Sequence, residues 1–290
     1  MSRPIPKFNI QKASIAMMFA LLCFIPFAFA ATTHNLSLFV EFTGESTNSN
    51  YAGRTVAPAG DVNGDGYKDF LIGAYGNNDG GANTGAVYLI YGSATPFTSR
   101  NLTNDIKFWG EAVGDLVGET SIASAGDVNG DGYDDILIGA YRNDDAGADA
   151  GAAYLIYGQA ATLTSASLST AIEFTGEVAG DKAGYFVASA GDVNFDTYDD
   201  FLVGAYMNDD GPGDNGGAAY LIYGQADPLV SASLSTAVEF TGEVAGDNAG
   251  TSVSSAGDVN NDTYSDILVG AQSNDDGPGD DGGAAYLIYG

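Results

Sequence analysis

Short apolar runs separated by polar turns recur in one fixed order along residues 39–290. Each unit opens on an alternating run that ends in a glycine turn. The four copies are Val40-Glu41-Phe42-Thr43-Gly44-Glu45, Lys107-Phe108-Trp109-Gly110-Glu111, Glu173-Phe174-Thr175-Gly176-Glu177 and Glu239-Phe240-Thr241-Gly242-Glu243. A run of small residues follows, such as Ser121-Ile122-Ala123-Ser124-Ala125, and leads into a polar loop. Next come Asp135-Ile136-Leu137-Ile138-Gly139-Ala140-Tyr141, a second polar turn over 142–150, and Gly151-Ala152-Ala153-Tyr154-Leu155-Ile156-Tyr157-Gly158. The runs have strand length and no helical period, so the pattern predicts four short strands per unit. The middle strands are apolar on both faces, as in a sheet covered on each side. Four-stranded sheets repeated radially and packed face to face are propeller blades, so the predicted fold class is an all-β β-propeller. A β-helix would have a shorter repeat, and separate 65-residue domains without cysteine would be marginal.

The polar loop repeats most strictly of all. It starts at Asp61, Asp127, Asp192 and Asp258, giving periods of 66, 65 and 66 residues. Oxygen-bearing side chains fall at loop positions 1, 3, 5 and 9: Asp61, Asn63, Asp65, Asp69; Asp127, Asn129, Asp131, Asp135; Asp192, Asn194, Asp196, Asp200; and Asp258, Asn260, Asp262, Asp266. Position 7 is Tyr67, Tyr133, Tyr198 or Tyr264, whose main-chain carbonyl can join the set. Alternate oxygens of a tight loop point inward, which is the hard-oxygen set that calcium takes. Three like charges this close repel unless a cation offsets them. The plain alternative is a solvated acidic turn, because Asp, Asn and Gly are ordinary turn residues. Four copies in one register argue against it. A helix–loop–helix calcium hand would need an acidic residue at position 12, where this chain has Ile72, Ile138, Val203 and Val269. Up to four Ca2+ ions are therefore expected. Position 6 is Gly66 and Gly132 but Thr197 and Thr263, so the last two sites should be weaker.

The Phe-Thr-Gly element, the Ser-Ala-Gly-Asp-Val-Asn-Gly-Asp-Gly-Tyr-Asp-Asp loop, Ile-Gly-Ala-Tyr and Gly-Ala-Ala-Tyr-Leu-Ile-Tyr-Gly together resemble FG-GAP repeats. Such repeats form the propeller head of integrin α subunits and occur in many bacterial secreted proteins. The resemblance spans about residues 39–290. It implies calcium at hairpin loops on one rim of the propeller and ligand binding elsewhere on the head. Propellers of that family usually have seven blades, and four repeats are visible here. The chain opens with the outermost strand of a unit (39–44) and closes after the third strand of the last (284–290). The expectation is part of a longer ring; Phe42 pairing beside Tyr286 would instead close a four-bladed one.

Composition narrows the setting. Residues 1–30 read as a secretory signal peptide, with Arg3, Lys7 and Lys12 ahead of an apolar run and Ala28-Phe29-Ala30 as the cleavage site. Residues 31–38 form a lead-in, and the mature chain should begin near Ala31. No later apolar run is long enough to be a transmembrane helix. Cys23 lies inside the leader, so no disulfide staples the exported chain. Losing the leader takes the formal charge from −29 to −32, which disfavours nucleic acid and anionic lipid as partners.

His34 is the one histidine, so neither a histidine triad nor a multi-histidine zinc centre can be built. The acidic residues recur in every unit, whereas a catalytic carboxylate pair needs one special place. Asn143-Asp144-Asp145, Asn208-Asp209-Asp210 and Asn274-Asp275-Asp276 read as solvated turns, with a second ion as the alternative. The expected function is a non-enzymatic adhesion or recognition module, secreted or at the cell surface, with a protein or glycan partner. The alternatives are the scaffold of a carbohydrate-active or esterase-like enzyme, and a purely structural repeat.

Overall fold

Four antiparallel sheets follow one another along the chain in the computed structural model, which describes residues 35–45, 49–211, 213–275 and 282–290. The expected signal peptide and residues 31–34 of the lead-in lie outside the described residues. The contacts separate residues 1–39 from 40–290, and among the described residues the sheets lie in the second unit. Of the first, Leu36–Leu38 form a single 3-10 turn capped by the Asn35 side chain.

In the first sheet Val56–Gly60, Asp69–Gly73, Ala86–Ile90 and Ile106–Trp109 pair in that spatial order. The second sheet takes Ile122–Gly126, Asp135–Ala140, Ala152–Ile156 and Ile172–Thr175 in the same way. The third takes Phe186–Gly191, Asp200–Ala205, Ala218–Ile222 and Val238–Thr241. The last holds three strands, Ala249–Gly257, Asp266–Ala271 and Ala284–Ile288. The outer strand of each complete sheet is thus the Phe-Thr-Gly run of the following repeat. Phe174 pairs with Ala153 and Phe240 with Ala219. Each repeat therefore completes the sheet of the one before it.

Phe42–Thr43 pairs in parallel with Arg100–Asn101, not beside Tyr286, so these strands do not join the first and last sheets into a ring. Two-residue parallel strands of the same kind, Ala166–Ser167 and Ala232–Ser233, flank the outer strands of the first two sheets. These lie beyond the four strands that the hydrophobic pattern predicts.

The two middle strands of the first three sheets are almost wholly buried, as their two-sided apolar pattern requires. Their side chains fill the layers between sheets. Leu71, Leu89 and Phe108 of the first sheet pack with Ile136, Ile138 and Tyr154 of the second. Leu137 and Leu155 meet Phe201 and Tyr220 of the third, and Leu202 and Leu221 meet Ile267 and Val269 of the last. The first strands of successive sheets lie side by side. This is the stacking of propeller blades.

A bulge at the end of each first strand aims the chain into the acidic loop, for example between Ser124 and Gly126. Gly126 has φ +80, and an added Cβ would sit 2.2 Å from the Asp199 carboxylate of the next repeat. Gly132, at φ +91, faces open space. Gly132→Ala should therefore cost about 1 kcal/mol of backbone strain, whereas Gly126→Ala should cost about 3 kcal/mol or more. Urea unfolding midpoints of the two variants would check this; equal losses would contradict the close approach of Asp199.

Candidate metal centre

Each acidic loop bridges the first and second strands of its sheet and folds around its own carboxylates. In the first, the Asp65 N–H donates to Asp61 Oδ1 and Asn63 Oδ1, both at 3.0 Å. The Gly66 N–H donates to Asp61 Oδ2 at 2.9 Å, and the Tyr67 N–H to Asp65 Oδ1 at 2.9 Å. The same bonds recur around Asp127, Asn129 and Asp131; around Asp192, Asn194 and Asp196; and around Asp258, Asn260 and Asp262. The predicted residues at positions 1, 3, 5 and 7 are thus gathered by one repeated geometry. The Tyr67 and Tyr264 side chains are exposed, and the rings of Tyr133 and Tyr198 lie against Gly64 and Gly130 of the preceding loops.

Position 9 behaves differently. Asp69, Asp135, Asp200 and Asp266 are buried, and one carboxylate oxygen of each accepts the N–H of Val62, Val128, Val193 or Val259 at 2.9 Å. The other accepts the N–H of Gly92, Gly158, Gly224 or Gly290, just past the third strand, at 2.7 to 3.0 Å. One side chain therefore ties the loop's start to the end of the third strand. Burial, with the charges of Asp131 and Asp127 adding to it, pushes Asp135 up to about 7. Burial raises Asp200 to about 6, and Asp69 shifts the same way.

Among the described residues no lysine or arginine pairs with the carboxylates at positions 1, 5 and 9 of these loops. The oxygens keep free lone pairs after accepting their N–H bonds. A hard divalent cation fits such a set: Asp61, Asn63, Asp65, Asp69 and the Tyr67 carbonyl could hold one, and so could their equivalents. Within a loop the three carboxylates are spread more widely than 4.8 Å; the acidic trio drawn that close among the described residues is elsewhere, Glu111, Asp145 and Glu173.

The spacing of the ligands did not reveal two further features. At position 8, the Asp134 carboxylate accepts the N–H of Asp61 in the preceding loop, and Asp199 accepts that of Asp127 at 2.9 Å. Main-chain bonds from Asp134, Asp199 and Ser265 back to Asp61, Asp127 and Asp192 complete a chain linking all four loops. At position 4, Gly64, Gly130, Phe195 and Asn261 all have φ between 60 and 70. The acidic pairs Asp134-Asp135 and Asp199-Asp200 were visible, but nothing local shows that their two members face different loops.

A profile described as FG-GAP repeat matches residues 52–90, 120–156 and 249–288. The chain carries FG-GAP repeats. The third unit, between those matches, has the same strands and the same loop bonds. Integrin alpha-PS2 of Drosophila melanogaster is 31% identical over 244 residues, which is 80% of this chain and 16% of that protein. Integrin alpha-V of Gallus gallus is 30% identical over 227 residues, 77% of this chain and 20% of that protein. Integrin alpha-6 of Gallus gallus is 35% identical over 124 residues, 43% of this chain and 10% of that protein. The chain thus spans a fifth or less of the length of these relatives.

Threonine takes the left-handed turn at position 6 unchanged. Thr197 and Thr263 have φ 79 and 84, against 89 and 91 for Gly66 and Gly132. Their N–H groups still donate to Asp192 and Asp258. A β-branched residue held there costs roughly 1 kcal/mol or more. A bound ion would keep the loop in this turn, whereas an empty loop would be free to relax. Thr197→Gly should therefore tighten calcium at the third loop by about 5-fold, as read by calorimetry; unchanged affinity would show that the strain is not coupled to the ion.

The buried carboxylates also set the sign of a pH effect. Folded Asp135 and Asp200 hold their protons to higher pH than they do unfolded, so the calcium-free protein should lose stability as pH rises from about 4 to about 7. Melting of exhaustively dialysed protein at pH 5 and pH 8 should show the lower midpoint at pH 8. The loss should shrink in Asp135→Asn, and an equal loss in that variant would remove Asp135 as its source.

Proposed function

We propose that the chain is an exported, calcium-stiffened propeller head that binds a protein or glycan partner at a cell surface or in the extracellular matrix. The observation that supports it is the row of four equivalent acidic loops, bonded one to the next along a single rim. Calcium in each loop would offset the carboxylates and hold neighbouring blades at a fixed spacing. The molecule works as a binder and not as an enzyme. Its acidic groups recur in register, which suits a repeated structural role better than a unique reacting centre.

The partner surface lies at the opposite ends of the sheets, where aromatic rings just before the first strands and just after the second strands meet, with Tyr141 buried beneath them. Tyr51 stacks on Tyr75 with centroids 4.9 Å apart, and Tyr185 meets Tyr141 and Tyr206 at 5.5 and 4.5 Å. Arg142 and Lys182 lie over the Tyr141 ring at 5.3 and 5.7 Å, a cationic spot on a chain of net negative charge. Aromatic rings with polar tips give large contact areas at low entropic cost, the make-up of a recognition surface.

Occupancy about 10-fold above Kd at four sites would add roughly 5–6 kcal/mol to stability. Chelation should therefore lower the melting temperature by about 10 °C or more. An array of glycans and matrix proteins should show a calcium-dependent binder that Tyr185→Ala and Tyr206→Ala weaken. An unchanged melt after chelation would remove calcium from the reading, and binding indifferent to both variants would move the partner elsewhere.

A further inference from the structure

A second carboxylate cluster lies at the far ends of the sheets from the acidic loops. Asp145 sits in the turn after Asp135–Ala140, while the loop Asp127–Asp135 precedes that strand. Six residues of strand separate the two places by about 20 Å. Asp145 meets Glu111, which follows the outer strand of the first sheet, and Glu173, on the outer strand of the second. Their oxygens all lie within 4.8 Å of one another. One oxygen of each is thus no farther from the others than oxygens on opposite sides of a calcium ion bound at about 2.4 Å.

The cluster is built into the sheet. Glu173 is the direct cross-strand neighbour of Tyr154, whose hydroxyl donates to Glu111 Oε1. Asn143 donates to both Glu111 Oε1 and the Tyr154 oxygen at 2.9 Å, and its own Oδ1 accepts the Asp145 N–H. Glu111 and Glu173 are half-buried and Asp145 is exposed, which leaves a path from solvent. Glu173 Oε1 is cut off from water and has no hydrogen-bond partner. Among the described residues no lysine or arginine forms an ion pair with any of the three.

The first sheet shows what belongs in that position. There the equivalent residues are Glu45, Asp79, Asn77, Tyr88 and Lys107, each 66 positions earlier. Lys107 is the cross-strand neighbour of Tyr88, as Glu173 is of Tyr154. Its ammonium lies 2.8 Å from Glu45 Oε1, bonds to the Asp79 carboxylate, and sits 5.7 Å from the Tyr88 ring centre. Where the repeat carries lysine, a tethered cation bridges the two acids. Where it carries Glu173, the bridge is missing and a third acid faces the gap. A divalent ion would bring that trio from a formal −3 to −1, the balance that Lys107 sets for Glu45 and Asp79.

We infer that Glu111, Asp145 and Glu173 form a second site for a hard divalent cation such as Ca2+, clamping the first blade's outer strand to the second blade. The site is independent of the loop ions proposed above. The ion takes the place of the lysine, so exchanging the two residue types should exchange the two solutions.

Equilibrium dialysis of the full chain against 45Ca2+, from about 10 µM to about 10 mM, counts bound ions over the range of extracellular calcium modules. Relative to the unmodified protein, Glu173→Lys and Glu173→Gln should each bind one ion fewer, and Lys107→Glu should bind one more. These are differences, so they hold even if the acidic loops bind nothing, in which case the loop reading fails and this one stands. Glu173→Lys should also keep its melting temperature better on chelation than the unmodified protein does. If Glu173→Lys fails to fold, the counts for Glu173→Gln and Lys107→Glu decide. Equal counts in the unmodified protein, Glu173→Gln and Lys107→Glu would overturn the site and leave a cluster neutralised by protons alone.

Discussion

One buried carboxylate per repeat holds the architecture together. Asp69, Asp135, Asp200 and Asp266 each accept one N–H from the start of the acidic loop and one from the residue after the third strand. A charged acceptor shared by two backbone donors is stronger than neutral pairing, but it carries the cost of taking an anion out of water. Burial lifts Asp135 to about 7, which marks that cost. The sheet geometry and the loop geometry are therefore one problem with one solution. The residue that closes the loop also closes the sheet, and its charge calls for a cation beside it.

The loops in turn set the spacing between sheets. Asp134 and Asp199 reach back to the first residue of the preceding loop, through side chain and backbone alike. Gly60 and Gly126 leave the room those carboxylates occupy. Lys68 adds an exposed ion pair to Asp134, which contributes little by comparison. At the other end of the blades, Lys107 and Glu173 show two answers to a crowding of acids, one by an internal cation and one by leaving a place for an ion.

Much of this was legible in the residues. Two-sided apolar runs such as Asp135–Ala140 and Ala152–Ile156 announced buried strands, because an exposed face would have been polar. The alternate Asp and Asn positions announced the loop, because period and register repeated together. The pairing partner of Phe42, Phe108, Phe174 and Phe240 was less visible, since a lone alternating strand fits either neighbouring sheet and packing decides. Ala166–Ser167 and Ala232–Ser233 are too short to leave a pattern. Glu111, Asp145 and Glu173 lie on separate elements with no common spacing, so only the folded sheets bring them together. Lys107, standing where other repeats have Glu, was readable as an exception, but its meaning depended on knowing which acids it faces.

The staggering of repeat against sheet has a consequence for how the molecule comes apart. The second, third and fourth repeats each hand their first strand to the sheet before, so none of these can unravel whole without stripping a strand from its neighbour's sheet. In a linear array of self-contained modules, the terminal unit can fray while the rest persists. Here the coupling between neighbours is itself a strand pairing, with buried side chains behind it, and is comparable to the internal cohesion of a repeat. Unfolding should propagate as a single cooperative event rather than unit by unit.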